Sequence, residues 1–492
     1  MLKLRYLVLL ALAFLLLAGC NRAGVLADTQ QVRADFPVPS PTAKTGSDPV
    51  SDTSASTPVS PMVNPTEAAT SDACLDCHAN KQKLIESSSS DESDSEALIG
   101  LGWSGELPEM ESWEKVLVNR DRFIPTVHGR FPCTSCHGGN SSEDKDIAHK
   151  GLNPNPSQGP EVVCGECHPD IAHTFENSLH STVRGFMTAL DERTVPSDHE
   201  NLSQMFSANC STCHNTCGDC HVSQPKSVGG GLYDGHTFQR TPPMDLSCNA
   251  CHGSRVSNEF IGKNAGLPPD LHYLQANMNC LNCHTGREMH GDPGSCNSCH
   301  PGPESASLPL PDGRYDGVQS PRCETCHVNV STGQDDVLMH RMHGSKLSCQ
   351  VCHSVAYTNC EGCHVSTDEL TGNPIHELDE SYSAFLIGKN PIVSYDRPYL
   401  YVPVRHVPVT PDSFESYGID LLTNFGKAPT WKYTTPHNIQ LRTPQSKSCN
   451  SCHGNQDLFL TADKLSGNEL IANEDVIVDQ IPPRITSGDQ IP

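Results

Sequence analysis

The sequence predicts short helices and long irregular loops with little sheet, wound around bound groups instead of a large apolar core. Three observations carry that expectation. Hydrophobic residues make up 36% and aromatics 5% of the 492 residues, too little for a conventional core in a chain of this length. No long amphipathic period runs between the cysteine clusters. Cysteine, finally, is confined almost entirely to one five-residue word.

That word is Cys-x-x-Cys-His. It occurs first as Cys74, Cys77 and His78, then as Cys133, Cys136 and His137, and as Cys164, Cys167 and His168. Two copies nearly abut, Cys210, Cys213 and His214 followed by Cys217, Cys220 and His221; Cys248, Cys251 and His252 come next. It recurs as Cys280, Cys283 and His284, as Cys296, Cys299 and His300, and as Cys323, Cys326 and His327. The last three are Cys349, Cys352 and His353, then Cys360, Cys363 and His364, then Cys449, Cys452 and His453. These twelve copies use 24 of the 25 cysteines, and the remaining one is Cys20. Zinc sites gather four ligands from paired motifs, with no requirement for a histidine after every second cysteine. A disulfide framework does not explain the histidine either. Covalent haem does: two thiols bond the two vinyl groups of one porphyrin, and the adjacent histidine binds its iron from one face. The reading is twelve c-type haems, which also supply the missing apolar volume.

On these motifs, which span residues 74–453, the chain resembles the multihaem c-type cytochromes of respiratory and extracellular electron transfer. The resemblance implies export, because such proteins receive their haem outside the cytoplasm. The N-terminus agrees with it. Lys3 and Arg5 precede an apolar run from Tyr6 to Ala18, and Leu17-Ala18-Gly19-Cys20 follows. This reads as a signal peptide over 1–19, its apolar run too short for a comfortable membrane span. Its end resembles a lipobox, which implies cleavage before Cys20 and lipid on that sulfur, so that Cys20 anchors the chain to a membrane surface. Asn21 is not an aspartate, which in the bacterial lipoprotein pattern favours the outer membrane or cell surface over the inner membrane. Residues 20–73 then read as a flexible Ser/Thr/Pro-rich tether. The acidic run Glu86–Glu96 reads as a solvated loop.

Six motifs of the first half resemble six of the second in order. "CLDCH" at Cys74 is set against "CLNCH" at Cys280, and "HGRFPCTSCHGG" from His128 against "HGDPGSCNSCHPG" from His290. "HTFQRTPPMDLSCNACHG" from His236 is set against "HNIQLRTPQSKSCNSCHG" from His437. The expectation is two hexahaem units, 74–256 and 257–453, with insertions at 79–127 and 365–436. The tail 454–492 carries no motif and suggests no role.

Twelve of the 25 histidines are in motifs, leaving thirteen for the second face of each iron. His128, His173, His180, His236, His272, His290, His340, His343 and His437 are read as axial ligands. His128 with His290, and His236 with His437, are expected to serve corresponding haems. His149, His199, His376 and His406 lie in insertions or polar stretches, where ligand, surface and hydrogen-bonding roles all stay open. Met187, Met205, Met244 and Met278 read as core filler. Two histidines per iron imply low reduction potentials. Between His214 and Cys217 the chain spans at most ~11 Å, so two haems there are forced into near contact.

The formal charge is −25, and twelve haems with ionised propionates would take it to about −40. Nucleic-acid binding is excluded by that sign. Basic redox proteins, other multihaem cytochromes and mineral or other extracellular acceptors fit it, as does a membrane reached through the lipid. The expected function is an exported, lipid-anchored electron conduit without a catalytic residue, relaying electrons between a membrane or periplasmic donor and a periplasmic or extracellular acceptor. The alternative is a multihaem oxidoreductase acting on nitrite, hydroxylamine or tetrathionate at one open haem. In that case Lys389, Tyr395, Arg405 and Tyr433 would be polar candidates near it.

Overall fold

Each Cys-x-x-Cys-His word can close one helical turn, and positions i and i+3 of a helix share a face. One turn therefore presents both thiols side by side. Eight of the nine motifs with described side chains do this, over Thr70–His78, Cys133–His137, Cys217–His221, Cys248–His252, Cys280–Cys283, Cys323–Cys326, Cys349–His353 and Cys449–Cys452. The ninth forms successive turns in which Cys167 and His168 both donate their N–H to Cys164 O, at 3.2 and 2.8 Å. Local capping sets several of these starts. Thr216 and Asp219 form a capping box on the helix from Cys217, and Asn279 with Asn282 does the same at Cys280. The helix from Cys133 stops at Gly138, whose φ of 62° ends the turn in a conformation that costs glycine little.

The structure is a computed structural model. It describes residues 70–88, 110–159, 161–209, 216–225, 230–264, 266–291, 321–331, 334–357, 360–367, 374–380, 385–393, 397–407, 411–414, 420–465 and 467–486. All of them fall in one compact unit, 62–492. The signal, Cys20 and most of the tether lie outside the described residues. So do two whole motifs, Cys210 with Cys213 and His214, and Cys296 with Cys299 and His300. The side chains of Cys360, Cys363, His364 and His376 lie outside them as well.

Among the described residues, sheet is limited to two small pieces. Strands β1 (Cys360–Thr367) and β2 (Pro374–Glu380) pair antiparallel. The backbone of Cys360, Cys363 and His364 is thus extended, where the other described motifs coil into turns. Strands β3 (Leu386–Lys389), β4 (Tyr401–His406) and β5 (Trp431–Tyr433) form an antiparallel sheet in the order β3-β4-β5. The expected fold class, short helices and loops with little sheet, is the fold observed.

What the sequence left unassigned is where apolar packing occurs. Val402, Val404, Trp431, Leu460, Leu465, Val476 and Ile477 form one buried cluster, and Val351, Ile387, Phe459 and Val478 another. Both join the segment read as an insertion to the tail read as featureless. Main-chain bonds knit them: Leu460 N–H donates to Ile387 O, Lys389 N–H to Val476 O and Val478 N–H to Leu460 O, at 2.8–2.9 Å. The tail then reaches the last motif. Gly454 N–H donates to Pro482 O, and Asn450 exchanges two hydrogen bonds with the Ile485 backbone.

Candidate metal centres

The motif histidines have company. His78 faces His149 with ring centroids 6.1 Å apart, His137 faces His236 at 6.0 Å and His168 faces His128 at 6.3 Å. His221 faces His290 at 6.0 Å, His252 faces His180 at 6.2 Å and His284 faces His437 at 6.4 Å. His327 faces His272 at 6.1 Å, His353 faces His340 at 6.0 Å and His453 faces His343 at 6.2 Å. Every motif histidine with a described side chain is thus opposed by a second histidine. The remaining motif histidines, His214, His300 and His364, lie outside that set. One metal between two imidazoles, with bonds of about 2 Å and ring radii of about 1.2 Å, sets centroids about 6.3 Å apart. The spacing fits an iron held from both faces.

Hydrogen bonding fits it too. A carbonyl can only accept, so each Nδ1 bonded to one carries the proton and leaves Nε2 for metal. His78 donates to Val116 O (3.3 Å), His137 to Asn153 O (3.0 Å), His221 to Gln239 O (2.6 Å), His343 to Met339 O (3.1 Å), His353 to Gln440 O (3.0 Å) and His453 to Pro483 O (3.1 Å). His272, His284 and His340 instead direct Nδ1 at carboxylates, those of Asp270, Glu288 and Asp335, at 2.9–3.0 Å. Burial lowers His78, His128, His180, His290 and His437 below the ordinary histidine range and takes His236 and His252 to about 4. These rings are therefore neutral, the form that binds metal. His284 goes the other way, raised by its bond to Glu288.

Four expected or open positions are placed differently. His149, left open by the sequence, is the partner of His78. His173, expected as a ligand, is 80% exposed and stands 3.9 Å from Glu161, and among the described residues it meets no motif histidine. Its helix, Pro169–Phe175, buries Ala172 and Phe175 and leaves His173 in solvent. His406 uses both nitrogens within the protein, Nδ1 toward Val407 O at 2.9 Å and Nε2 toward Glu469 at 3.4 Å, with its edge on Trp431. His199 is partly exposed at the start of the helix His199–Asn209, with no motif histidine opposite it among the described residues. The signal for His149 was local. It caps a four-residue helix just before Gly151, as His290 does before Gly291, and both glycines have positive φ.

The thiols connect the sites. Cys74 hydrogen-bonds Cys133, Cys164 hydrogen-bonds Cys217, Cys248 hydrogen-bonds Cys280 and Cys323 hydrogen-bonds Cys349. Cys136 lies within electrostatic reach of both Cys164 and Cys167. Cys220 with Cys251, Cys283 with Cys326 and Cys352 with Cys452 are similarly close. The nine described motifs thereby form an unbroken file from Cys74 to Cys452. Cys77 stands in the first motif of that file, half-buried and within electrostatic reach of Lys83. The thiols Cys213 and Cys363, with the rest of their motifs' side chains, lie outside the described residues. Zinc gains nothing from this arrangement. Among the described residues, the group whose ligand atoms converge on one point is Glu161, His173 and Glu176, all exposed, with no thiol among them.

The pairs also repeat. His236 on His137 corresponds to His437 on His284, His128 on His168 to His272 on His327, and His180 on His252 to His343 on His453. His221 and His353 complete the set, since each donates to the glutamine carbonyl three residues after the corresponding distal histidine, Gln239 or Gln440. Two rows of four follow: the motifs at Cys133, Cys164, Cys217 and Cys248, then those at Cys280, Cys323, Cys349 and Cys449. His128 and His290 do not occupy corresponding places, because His290 crosses back to His221 of the first row.

No curated protein and no solved structure matches this chain. Residues 163–253 match the family model described as cytochrome c554 and c-prime, a stretch that contains four Cys-x-x-Cys-His words. The match supports a c-type cytochrome, with haem held covalently through such words and a general role in electron transfer.

Proposed function

We propose that the chain is an exported, lipid-anchored conduit of twelve haems that relays electrons between a membrane or periplasmic donor and a periplasmic or extracellular acceptor. One observation carries the reading: each described motif histidine is opposed by a second histidine, in a file whose neighbouring thiols hydrogen-bond or lie within electrostatic reach of one another. A haem held in each site supplies a one-electron iron couple. The chain's own part would be to offer each iron two histidines, leaving no place for a substrate, and to fix the attachment points of neighbours side by side. With the same two histidines in either oxidation state, little rearrangement would accompany electron transfer. The strong negative charge keeps an exported chain soluble and suits basic redox partners or other multihaem cytochromes.

Intact mass spectrometry of the exported protein, with a pyridine haemochrome assay, is expected to give twelve haems and lipid on Cys20. Carbon monoxide added to the reduced protein is expected to bind negligibly. Uptake of one equivalent accompanied by nitrite or hydroxylamine turnover would replace the conduit with a catalyst.

A further inference from the structure

The two rows differ in one chemical respect. In the second row, three sites hold an axial histidine by a carboxylate. His272 Nδ1 meets Asp270 at 2.9 Å, His284 Nδ1 meets Glu288 at 3.0 Å and His340 Nδ1 meets Asp335 at 3.0 Å. Asp270 is 2% exposed and also accepts the backbone N–H groups of His272 and Ile439, both at 2.7 Å. The carboxylates of Glu288 and Asp335 are 16% and 17% exposed. At the corresponding places in the first row, His128 stacks on Phe238, His137 donates to the Asn153 carbonyl, and His290 supplies the partner of His221. Among the described residues no carboxylate hydrogen-bonds a paired histidine of that row. Glu288 lies within electrostatic reach of His180 without bonding it.

We propose that Asp270, Glu288 and Asp335 set the second row at lower reduction potential than the first, so that electrons run from the Cys449 end toward the Cys133 end. The inference rests on the two-histidine haem reading above. A carboxylate that accepts from the far nitrogen of an axial imidazole draws the proton toward itself and makes the ring a stronger electron donor. A stronger donor favours the ferric over the ferrous iron, and hydrogen bonding outside the ligand shell is a recognised lever on haem potential. Burial matters because exposed charges are screened by salt and these are largely shielded. The transfer is balanced within the molecule: a ferrous site of the second row loses one electron, a ferric site of the first row gains it, and no bond or proton changes. These three side chains are positioning and tuning residues that act on the metal through histidine.

The test is a spectropotentiometric titration of the fully loaded full-length protein and its Asp270→Asn, Glu288→Gln and Asp335→Asn variants. Asp479→Asn, which removes a surface charge paired with Lys389, serves as the control for net charge. Each of the three variants is expected to move about one-twelfth of the haem absorbance from the low-potential end to higher potential, and the triple variant to narrow the spread visibly. The control is expected to leave the profile in place. Unchanged profiles in all three variants, or an equal shift in the control, overturn the proposal. Electron paramagnetic resonance of the wild-type protein separates the two failures. Low-spin signals without a shift sink only the ranking of the rows, whereas high-spin signals throughout sink the ligation reading beneath it.

Discussion

At the scale of single residues, the motif cysteines and histidines were legible because covalent attachment demands a fixed spacing. The distal histidines were legible only as a pool. Which one closes on which iron is a matter of long-range placement, which local polarity does not report. His149, left open by the sequence, sits among charged residues and faces His78, while His173, expected as a ligand, closely follows the third motif and is exposed. His149→Ala is therefore expected to convert one low-spin haem to a high-spin form that takes up about one equivalent of carbon monoxide. His406→Ala is expected to leave every haem low-spin, because both nitrogens of His406 bond within the protein. Spectra and carbon monoxide titration of the two variants, side by side, decide the assignment. The buried carboxylate Glu259 was not visible as a functional residue at all. It is 2% exposed, pairs with Arg405, accepts from Tyr357 and receives the His437 backbone N–H at 2.6 Å. Arg405→Leu would leave it unpaired in the interior, a change that costs about 3–5 kcal/mol. The expected result is a lowered thermal midpoint, with partial high-spin character where the backbone of His437 loosens.

At the scale of elements, the words alone suggest a repeat without fixing its register. Twelve near-identical words align with one another at many offsets, so flanking letters weigh little. Axial pairs and carbonyl acceptors are independent of those letters, and they match the motif at Cys133 with Cys280 and the motif at Cys217 with Cys349. If Cys133 corresponded to Cys296 as the six-for-six alignment has it, the pairing of His236 with His137 would place His437 on the haem at Cys296, whereas its ring stands opposite His284. His437→Ala in a background lacking Cys296 and Cys299 is expected to create one new high-spin haem. If the spectrum of that background does not change, His437 belonged to the deleted site. The C-terminal tail was illegible for a different reason. Its apolar residues are too few to announce a domain, and they acquire partners from Val351 and from strands β3, β4 and β5, earlier in the sequence. Its consequence is local to the last motif, where Pro483 O accepts from His453 and Asn450 is tied to Ile485. Truncation after Asn473 removes these acceptors together with Val476 and Val478 of the buried clusters.

At the scale of the molecule, the composition suggests bound groups in the interior, and the structure adds how the described motifs are strung together. The file runs through the thiol contact of Cys248 with Cys280, the joint between the two rows. His290 also crosses that joint to face His221, so the rows are fastened by a ligand as well as by adjacency. If conduction follows the file, the joint is its narrowest point. Replacing Cys248 and Cys251 by serine removes one covalent haem there and leaves four motifs in each direction among the described sites. After sub-stoichiometric photoreduction, wild-type protein is expected to redistribute electrons in one fast phase. The variant is expected to show a slow phase that accounts for the exchange between rows, with fast equilibration kept inside each. A haem count of eleven and unchanged spectra of the other sites establish that only the joint was altered. Redistribution as fast as in the wild type would mean that electrons pass between the rows by another route, through motifs outside the file.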